Sequence, residues 1–457
     1  MKNIILNSDS YKHSHYLQYP EGTEYVYSYI ESRGGKYDKT LFFGLQAFIK
    51  EYLMEPITLA QIQEASDIVS LQCGEFNKKG WEYIYYQHNG YLPVEIHAVP
   101  EGTVVDTHNV LLTIVNTDPK CFWLTSFLET ALLRAIWYPT TIATKSYNIK
   151  DIIKAYWNIT CDTPISQVNT KLVDFGARGV SSEESAALGG MAHLVSFQST
   201  DTLSAIVAAK KYYHCGLAGV SIPASEHSTM TSWGKLNEAK AYANMVEQFG
   251  NRVAYSVVSD SYDTMNAVKN IWGEELKDLV NSKIARLVVR PDSGDPIQTP
   301  INVIEWLMEK YGYTVNSKGY KVLPNNIRVL QGDGIDEDDI YRILATMTMN
   351  YRFSTENIVF GMGGGLLQKC DRDTQKFAMK CSAVRVNGEW RDVYKETPGK
   401  KSKRGRLALV HEETEDGWKY ITVPHDGNAA YDELRLVYHN GDLMIDDTLE
   451  EIRNRVK

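Results

Sequence analysis

A short apolar run that ends in charged or glycine residues, followed by an amphipathic helical stretch, recurs about seven times between residues 172 and 366. The runs are 172–179 (LVDFGARG), 194–201 (LVSFQSTD), 219–227 (GVSIPASEH), 254–260 (AYSVVSD), 285–295 (ARLVVRPDSGD), 327–336 (IRVLQGDGID) and 357–366 (NIVFGMGGGL). Strands that alternate with helices pair in parallel through helical crossovers. That many consecutive units favour a closed barrel over an open sheet. The expected fold is α/β: an irregular α/β barrel over residues 151–377, with a second β-rich domain built from both chain ends, residues 1–150 and 378–457. The flanks supply its strands, as TEYVYSYI, EIHAVP and NVLLTIV before the barrel and CSAVRVNG, WRDVYKE, RLALVHE and WKYITVP after it. Asn387-Gly388 is a hairpin signal.

Nearly every barrel run is apolar at its start and polar at its end, and in such barrels the strand C-terminal ends build the active site. Turn chemistry alone accounts for one or two Gly, Asp or Ser residues at such places. It accounts poorly for a set that mixes DFGAR, STD, SEH, SDSYD, RPDSGD, QGDG and GMGGG. Three ingredients converge there. Carboxylates come from Asp201, Asp260, Asp263, Asp292, Asp295 and Asp333, and cations from Arg178, Arg290, Arg328, Arg372 and Lys380. Gly361 and Gly363, Gly364 and Gly365 let backbone N–H groups approach phosphate oxygens closely. Carboxylates at a phosphate site suggest Mg²⁺, which takes one or two carboxylates plus phosphates and water. A phosphorylated sugar with a metal-bound leaving group fits this inventory. GMGGGL matches neither the dinucleotide fingerprint nor a P-loop.

His227 stands at a strand end beside Glu226. A lone histidine is more often structural than catalytic, and spacing alone favours that reading. The run 400–406 (KKSKRGR) reads first as a solvated loop, with a phosphate contact as the alternative. The net charge of −9, with no long basic tract, argues against nucleic-acid binding. No apolar stretch approaches membrane-spanning or signal-peptide length. The six cysteines are scattered without C-x-x-C pairs, as in a reduced, cytoplasmic protein.

At these motifs the chain resembles the nicotinamide phosphoribosyltransferases. The resemblance runs from SDSYKHSHYLQYP and YSYIESRGG through DFGARGVSSEES, STDT, SIPASEHST, VVSDSYD, RPDSGDP, QGDGID and FGMGGGLLQK to RDTQKFAMKCSAV and KSKRGRL. It implies transfer of phosphoribosyl from 5-phosphoribosyl 1-pyrophosphate to nicotinamide, with Mg²⁺ as cofactor and ATP as co-substrate, in a homodimer with shared active sites. By this resemblance nicotinamide stacks between Phe175 of one subunit and Tyr11 of the other, and Asp201 accepts a hydrogen bond from its carboxamide. An ionised Asp201 would repel nicotinate. Asp201 as a helix N-cap is the bland alternative.

The resemblance further implies that Arg290 holds phosphate or pyrophosphate. Asp292 binds ribose hydroxyls or the metal, with Asp260 a second metal candidate through water. Gly332, Asp333, Gly363 and Gly364 surround the ribose and its 5′-phosphate, and Arg372 binds phosphate. Arg178, Ser256 and Arg328 complete the substrate-binding set. Arg33, Lys380 and Lys395 lie near the nucleotide phosphates. His227 is the phosphorylated histidine with Asp260 oriented toward it, which reverses the reading from spacing. Two departures stand out: Val173 replaces a frequent histidine, and Ala177 replaces a frequent tyrosine, opening the pocket edge. The alternatives are a nicotinate phosphoribosyltransferase, a barrel that binds without catalysis, and a sugar-phosphate lyase or isomerase. The last would need a strand-end lysine or base, and the motifs from Arg178 to Gly365 hold no lysine.

Overall fold

The computed structural model describes residues 3–395, 402–415, 417–425 and 431–456; Lys400 and Lys401 of the basic run lie outside them. The chain divides into two compact units, one of residues 145–208 and 216–369, the other of residues 1–144, 209–215 and 370–457.

The first unit is built on a parallel sheet in the order Leu172–Asp174, Ile358–Met362, Ile327–Gln331, Arg286–Arg290, Ala254–Val258. Three isolated parallel bridges carry the pairing onward: Asp174 with Thr200, Ser199 with Val220, and Ala224 with Ser256. The sheet thereby curls round on itself. Five of the expected strand runs form ladders, and the runs 194–201 and 219–227 contribute only these bridges. The physical reasons are local. The helix Glu183–His193 ends against the first of those runs, and Pro223, which has no N–H to give, interrupts the second.

Strand residues Val257, Val289, Val329 and Phe360 are fully buried. Helices cover the sheet with apolar residues three and four apart. Gln298–Tyr311 buries Ile301, Ile304, Leu307 and Met308, and Glu337–Thr346 buries Ile340, Ile343 and Leu344 behind a capping box at Asp336. Each such side chain contributes about 1.5–3 kcal/mol.

The second unit holds a seven-stranded antiparallel sheet that joins early and late parts of the chain. Thr23–Ser32 lies between Phe377–Val386 and Val110–Asn116, and Val94–Ala98 lies between Val110–Asn116 and Arg435–His439. Glu389–Asp392 pairs with Phe377–Val386 across the expected hairpin, where Asn387 and Gly388 take φ of 51° and 82°, as a tight two-residue turn requires. Under the sheet, Trp81 meets Trp123 and Phe127 edge-on at 4.8 and 5.0 Å. The 32-residue helix Glu129–Thr160, with Pro139 inside it, had no counterpart among the sequence expectations. Among the described residues no helix is long and apolar enough to cross a membrane.

Candidate active site

The strand C-terminal ends of the first unit open on a cavity of about 440 Å³. Four strands supply its walls: Phe175 and Arg178 follow Leu172–Asp174, Arg290 and Asp292 close Arg286–Arg290, Gly332 and Asp333 follow Ile327–Gln331, and Gly363 and Gly364 follow Ile358–Met362. These eight residues were expected to meet, and they do.

Phe175 is seated by its own backbone, whose N–H donates to the Met362 carbonyl at 2.8 Å. The Arg290 guanidinium lies over its ring at 5.2 Å. The ring fits because position 361 is glycine: a Cβ there would stand 2.1 Å from Phe175 Cε2. The glycine cluster therefore has two uses. Gly361 makes room for the ring. Gly363 and Gly364, where a Cβ would find nothing nearer than 3.6 Å, leave open wall for a ligand.

Arg290 donates from Nε and Nη2 to Asp292 Oδ1 at 3.0 and 2.6 Å. Asp260, whose side chain is only 2% exposed, ties the neighbouring ends together. Its Oδ2 accepts from the Asp292 N–H at 3.0 Å and the Ser293 hydroxyl at 2.5 Å, and its Oδ1 lies 3.0 Å from His227 Nε2. His227 Nδ1 is 3.8 Å from Asp292 Oδ2. The imidazole is 44% exposed, at the first position of the helix His227–Thr231. A half-exposed histidine held on Nε2 by a buried carboxylate, with a second carboxylate at ion-pair range of Nδ1, is suited to chemistry.

Asp201 accepts a hydrogen bond from the Ser221 hydroxyl. Desolvation raises its carboxyl above the ordinary range; the Ser221 hydrogen bond pulls it down, the charge of Asp174 raises it and Arg290 lowers it. Asp201 thus feels the same guanidinium that lines the cavity. Ser256 is buried in its strand, its hydroxyl without a hydrogen-bond partner among the described residues.

Arg328 is a correction. It is the second residue of Ile327–Gln331, at the end of the strand remote from Gly332, and is 4% exposed. Its Nη1 donates to the carbonyls of Leu323, Pro324 and Ile327 at 3.3, 2.8 and 2.6 Å. Burial pushes it down to about 10, with repulsion from Arg286 adding to that. It braces the opposite end of the barrel and is not among the residues that line the cavity.

Tyr11, Arg33, Arg372, Lys380 and Lys395 belong to the second unit. Tyr11 is 59% exposed on the 3₁₀ helix Ser10–Leu17. Arg33 donates to Glu31 at 2.8 Å while its buried Nη2 has no hydrogen-bond partner among the described residues. Lys403, from the basic run, joins Glu31 and donates to the His108 carbonyl at 2.6 Å, so this part of the run is bound to protein and not merely solvated. Arg372 is paired with Asp373 at 3.0 Å. Lys380 is exposed on its strand, opposite Tyr29. The Lys395 N–H donates to Ser402.

Sequence reading missed Ser221 and Asp174. Both stand inside quoted strand-end motifs, and the signal was their place next to Asp201 and Phe175 across the barrel rim. Gln368 and Lys369, which also line the cavity, lie just past the glycines.

A family model described as the nicotinate phosphoribosyltransferase (NAPRTase) family matches residues 170–442. A second, for the nicotinamide phosphoribosyltransferase N-terminal domain, matches residues 3–96. A nicotinamide phosphoribosyltransferase of Xanthomonas campestris pv. campestris is 50% identical, over 99% of this chain and 98% of its own length. One of Acinetobacter baylyi is 33% identical over 98% of this chain and 96% of its own. Among solved structures, the nicotinate-nucleotide pyrophosphorylase of Pyrococcus furiosus superposes with a TM-score of 0.63 at 17% identity, covering 99% of this chain and 95% of its own. Human nicotinic acid phosphoribosyltransferase gives 0.58 at 15%, covering 98% and 92%; these two likenesses speak to fold. The chain belongs to the nicotinate phosphoribosyltransferase family, on its nicotinamide phosphoribosyltransferase branch.

Proposed function

We propose that this chain transfers the phosphoribosyl group of 5-phosphoribosyl 1-pyrophosphate to nicotinamide, giving nicotinamide mononucleotide and pyrophosphate for NAD biosynthesis. The observation that carries this reading is the convergence of Phe175, Arg290, Asp292, Gly363 and Gly364 from separate strand ends on one cavity.

The pyridine nitrogen uses its lone pair to form the bond to the anomeric carbon. The bond from that carbon to the pyrophosphate oxygen breaks, and its electron pair leaves with pyrophosphate. No proton need move, so the protein's work is positioning and charge. Phe175 offers a flat face for the ring. Arg290 and Arg178 meet the phosphate anions, the open glycine wall admits the 5′-phosphate, and Asp292 and Asp333 face the ribose. Asp201 accepts from the carboxamide N–H and disfavours the nicotinate carboxylate.

The carboxylates fit Mg²⁺ in a limited way. Asp260 already accepts two hydrogen bonds and faces His227, so it suits a metal only through water, while Asp292 can offer Oδ2. One or two carboxylates with water and substrate phosphate match the ion's preference. Bound there, Mg²⁺ would neutralise charge on the departing pyrophosphate.

With Asp260 holding Nε2–H, His227 presents the Nδ1 lone pair. We assign Nδ1 as the acceptor of the ATP γ-phosphoryl group: an N–P bond forms, the P–O bond to ADP breaks, and ADP leaves. Tyr11 of the partner subunit, with Arg33, Arg372, Lys380 and Lys395, would complete each site in a cytoplasmic homodimer.

Pyrophosphate release measured with nicotinamide and with nicotinate tests the reaction. Faster release with nicotinamide is the expected result; a preference for nicotinate would replace the assignment by its acid-using relative.

A further inference from the structure

We infer that Asp174 is the positioning residue that holds, in one fixed geometry, the two groups meant to grip the pyridine amide: the Phe175 ring and the Asp201 carboxylate. This rests on the reading of the site given under Proposed function.

Asp174 is fully buried, and its three oxygens accept from Gly176, Thr200 and Asp201, the residues that follow Phe175, precede Asp201 and are Asp201 itself. Oδ1 accepts the Gly176 N–H at 2.7 Å, which closes the turn that presents Phe175. The main-chain oxygen accepts the Asp201 N–H at 2.9 Å. Oδ2 accepts the Thr200 hydroxyl at 3.2 Å, and that hydroxyl oxygen in turn accepts the Thr202 N–H at 2.9 Å. The bonds therefore bracket Asp201 on both sides and Phe175 on one. The Asp174–Thr200 bridge places all of this where two barrel ends meet.

The fit is close. A Cβ on Gly176 would stand 3.0 Å from Oδ1, and one on Gly190 would stand 3.0 Å from Oδ2. No cation is paired with Asp174 among the described residues, so hydrogen bonds alone satisfy a buried carboxylate. Burying a charge in that way is costly, and an uncharged side chain would complete a barrel rim more cheaply. What the charge adds is an effect on Asp201. The charged groups acting on Asp201 are Asp174, which raises its carboxyl, and Arg290, which lowers it, while the Ser221 hydroxyl bonds it directly. Asp174 thus fixes the place of the amide acceptor, and its charge adds to the desolvation that raises that carboxyl. The ring and the acceptor must be in register for the ring nitrogen to lie in line with the anomeric carbon.

Steady-state kinetics of Asp174→Ala and Asp174→Asn, with thermal unfolding alongside, test the idea. Asp174→Ala leaves the Gly176 N–H without its acceptor. The expected result is a rise of roughly tenfold in KM for nicotinamide, with KM for 5-phosphoribosyl 1-pyrophosphate little changed. Asp174→Asn keeps an oxygen for Gly176 and should restore most of that KM. It removes the charge that raises Asp201, so the acid limb of kcat/KM for nicotinamide should move to lower pH. Equal losses in both KM values, or an Asn variant with the wild-type pH profile, would overturn the inference. If the Ala variant does not fold, the pH profile of the Asn variant decides alone. Wild-type protein that makes no mononucleotide would instead overturn the function, and the inference with it.

Discussion

Asp260 Oδ1 lies 3.0 Å from His227 Nε2, and the same carboxylate holds the Asp292 main chain through Oδ2. One buried acid therefore couples the histidine to the loop that carries Arg290 and Asp292. The histidine's ring orientation and the anion-binding loop are set together.

The first prediction follows from that coupling. His227→Ala removes the phosphoryl acceptor but none of the groups that hold the reacting atoms. The variant should still form mononucleotide at a measurable rate and should show no stimulation by ATP. Initial rates with and without ATP check this, and undiminished stimulation would refute the role.

The second concerns Gly361. A methyl group there would overlap the Phe175 ring, and the ring must turn away or the strand must shift. Gly361→Ala should raise KM for nicotinamide by roughly 5- to 150-fold, the equivalent of the 1–3 kcal/mol that overpacking costs. Steady-state kinetics read this directly. A variant with unchanged KM would show that Phe175 is not the ring's seat.

The third is a matter of stability. Glu101 is buried in the second unit, accepting from the Gln46 N–H at 2.8 Å and the Tyr213 hydroxyl at 2.7 Å. Burial lifts its carboxyl to about 7 from the usual 4.5. Between those values the folded chain keeps a proton that the unfolded chain has lost, so this group's contribution to stability falls as pH rises from about 4.5 to about 7 and stays low above that. Glu101→Gln, which cannot ionise, should raise Tm relative to wild type at pH 8 and do so less at pH 5. An equal shift at both pH values would contradict the burial argument.

The barrel was legible because apolar runs and helical stretches alternate at a spacing that only parallel crossovers satisfy. The polar strand ends were legible because turn preference cannot account for so varied a set. What stayed hidden were relations across the rim. Ser221 looks like any serine in GVSIPASEH until the bridge from Val220 to Ser199 brings it beside Asp201. Asp174 reads as part of a phenylalanine motif, yet its bonds reach the next strand end. Arg328 shows the converse error. Its residue type was right for phosphate, but the direction of its strand sends it to the wrong end of the barrel, and composition carries no direction. The reach of the runs 194–201 and 219–227 was overestimated for local reasons, a helix that ends late and Pro223 in mid-run.

The most direct measurement is a competition. Nicotinamide and nicotinate, supplied together with 5-phosphoribosyl 1-pyrophosphate and Mg²⁺, are offered to wild type and to Asp201→Asn, and the two mononucleotide products are separated and counted. Like-charge repulsion between Asp201 and the nicotinate carboxylate costs several kcal/mol, so wild type should yield the amide product in excess of roughly 100-fold, and the variant should lose most of that excess. An acid product equal to or above the amide product in wild type, or an excess untouched by the substitution, would contradict the account.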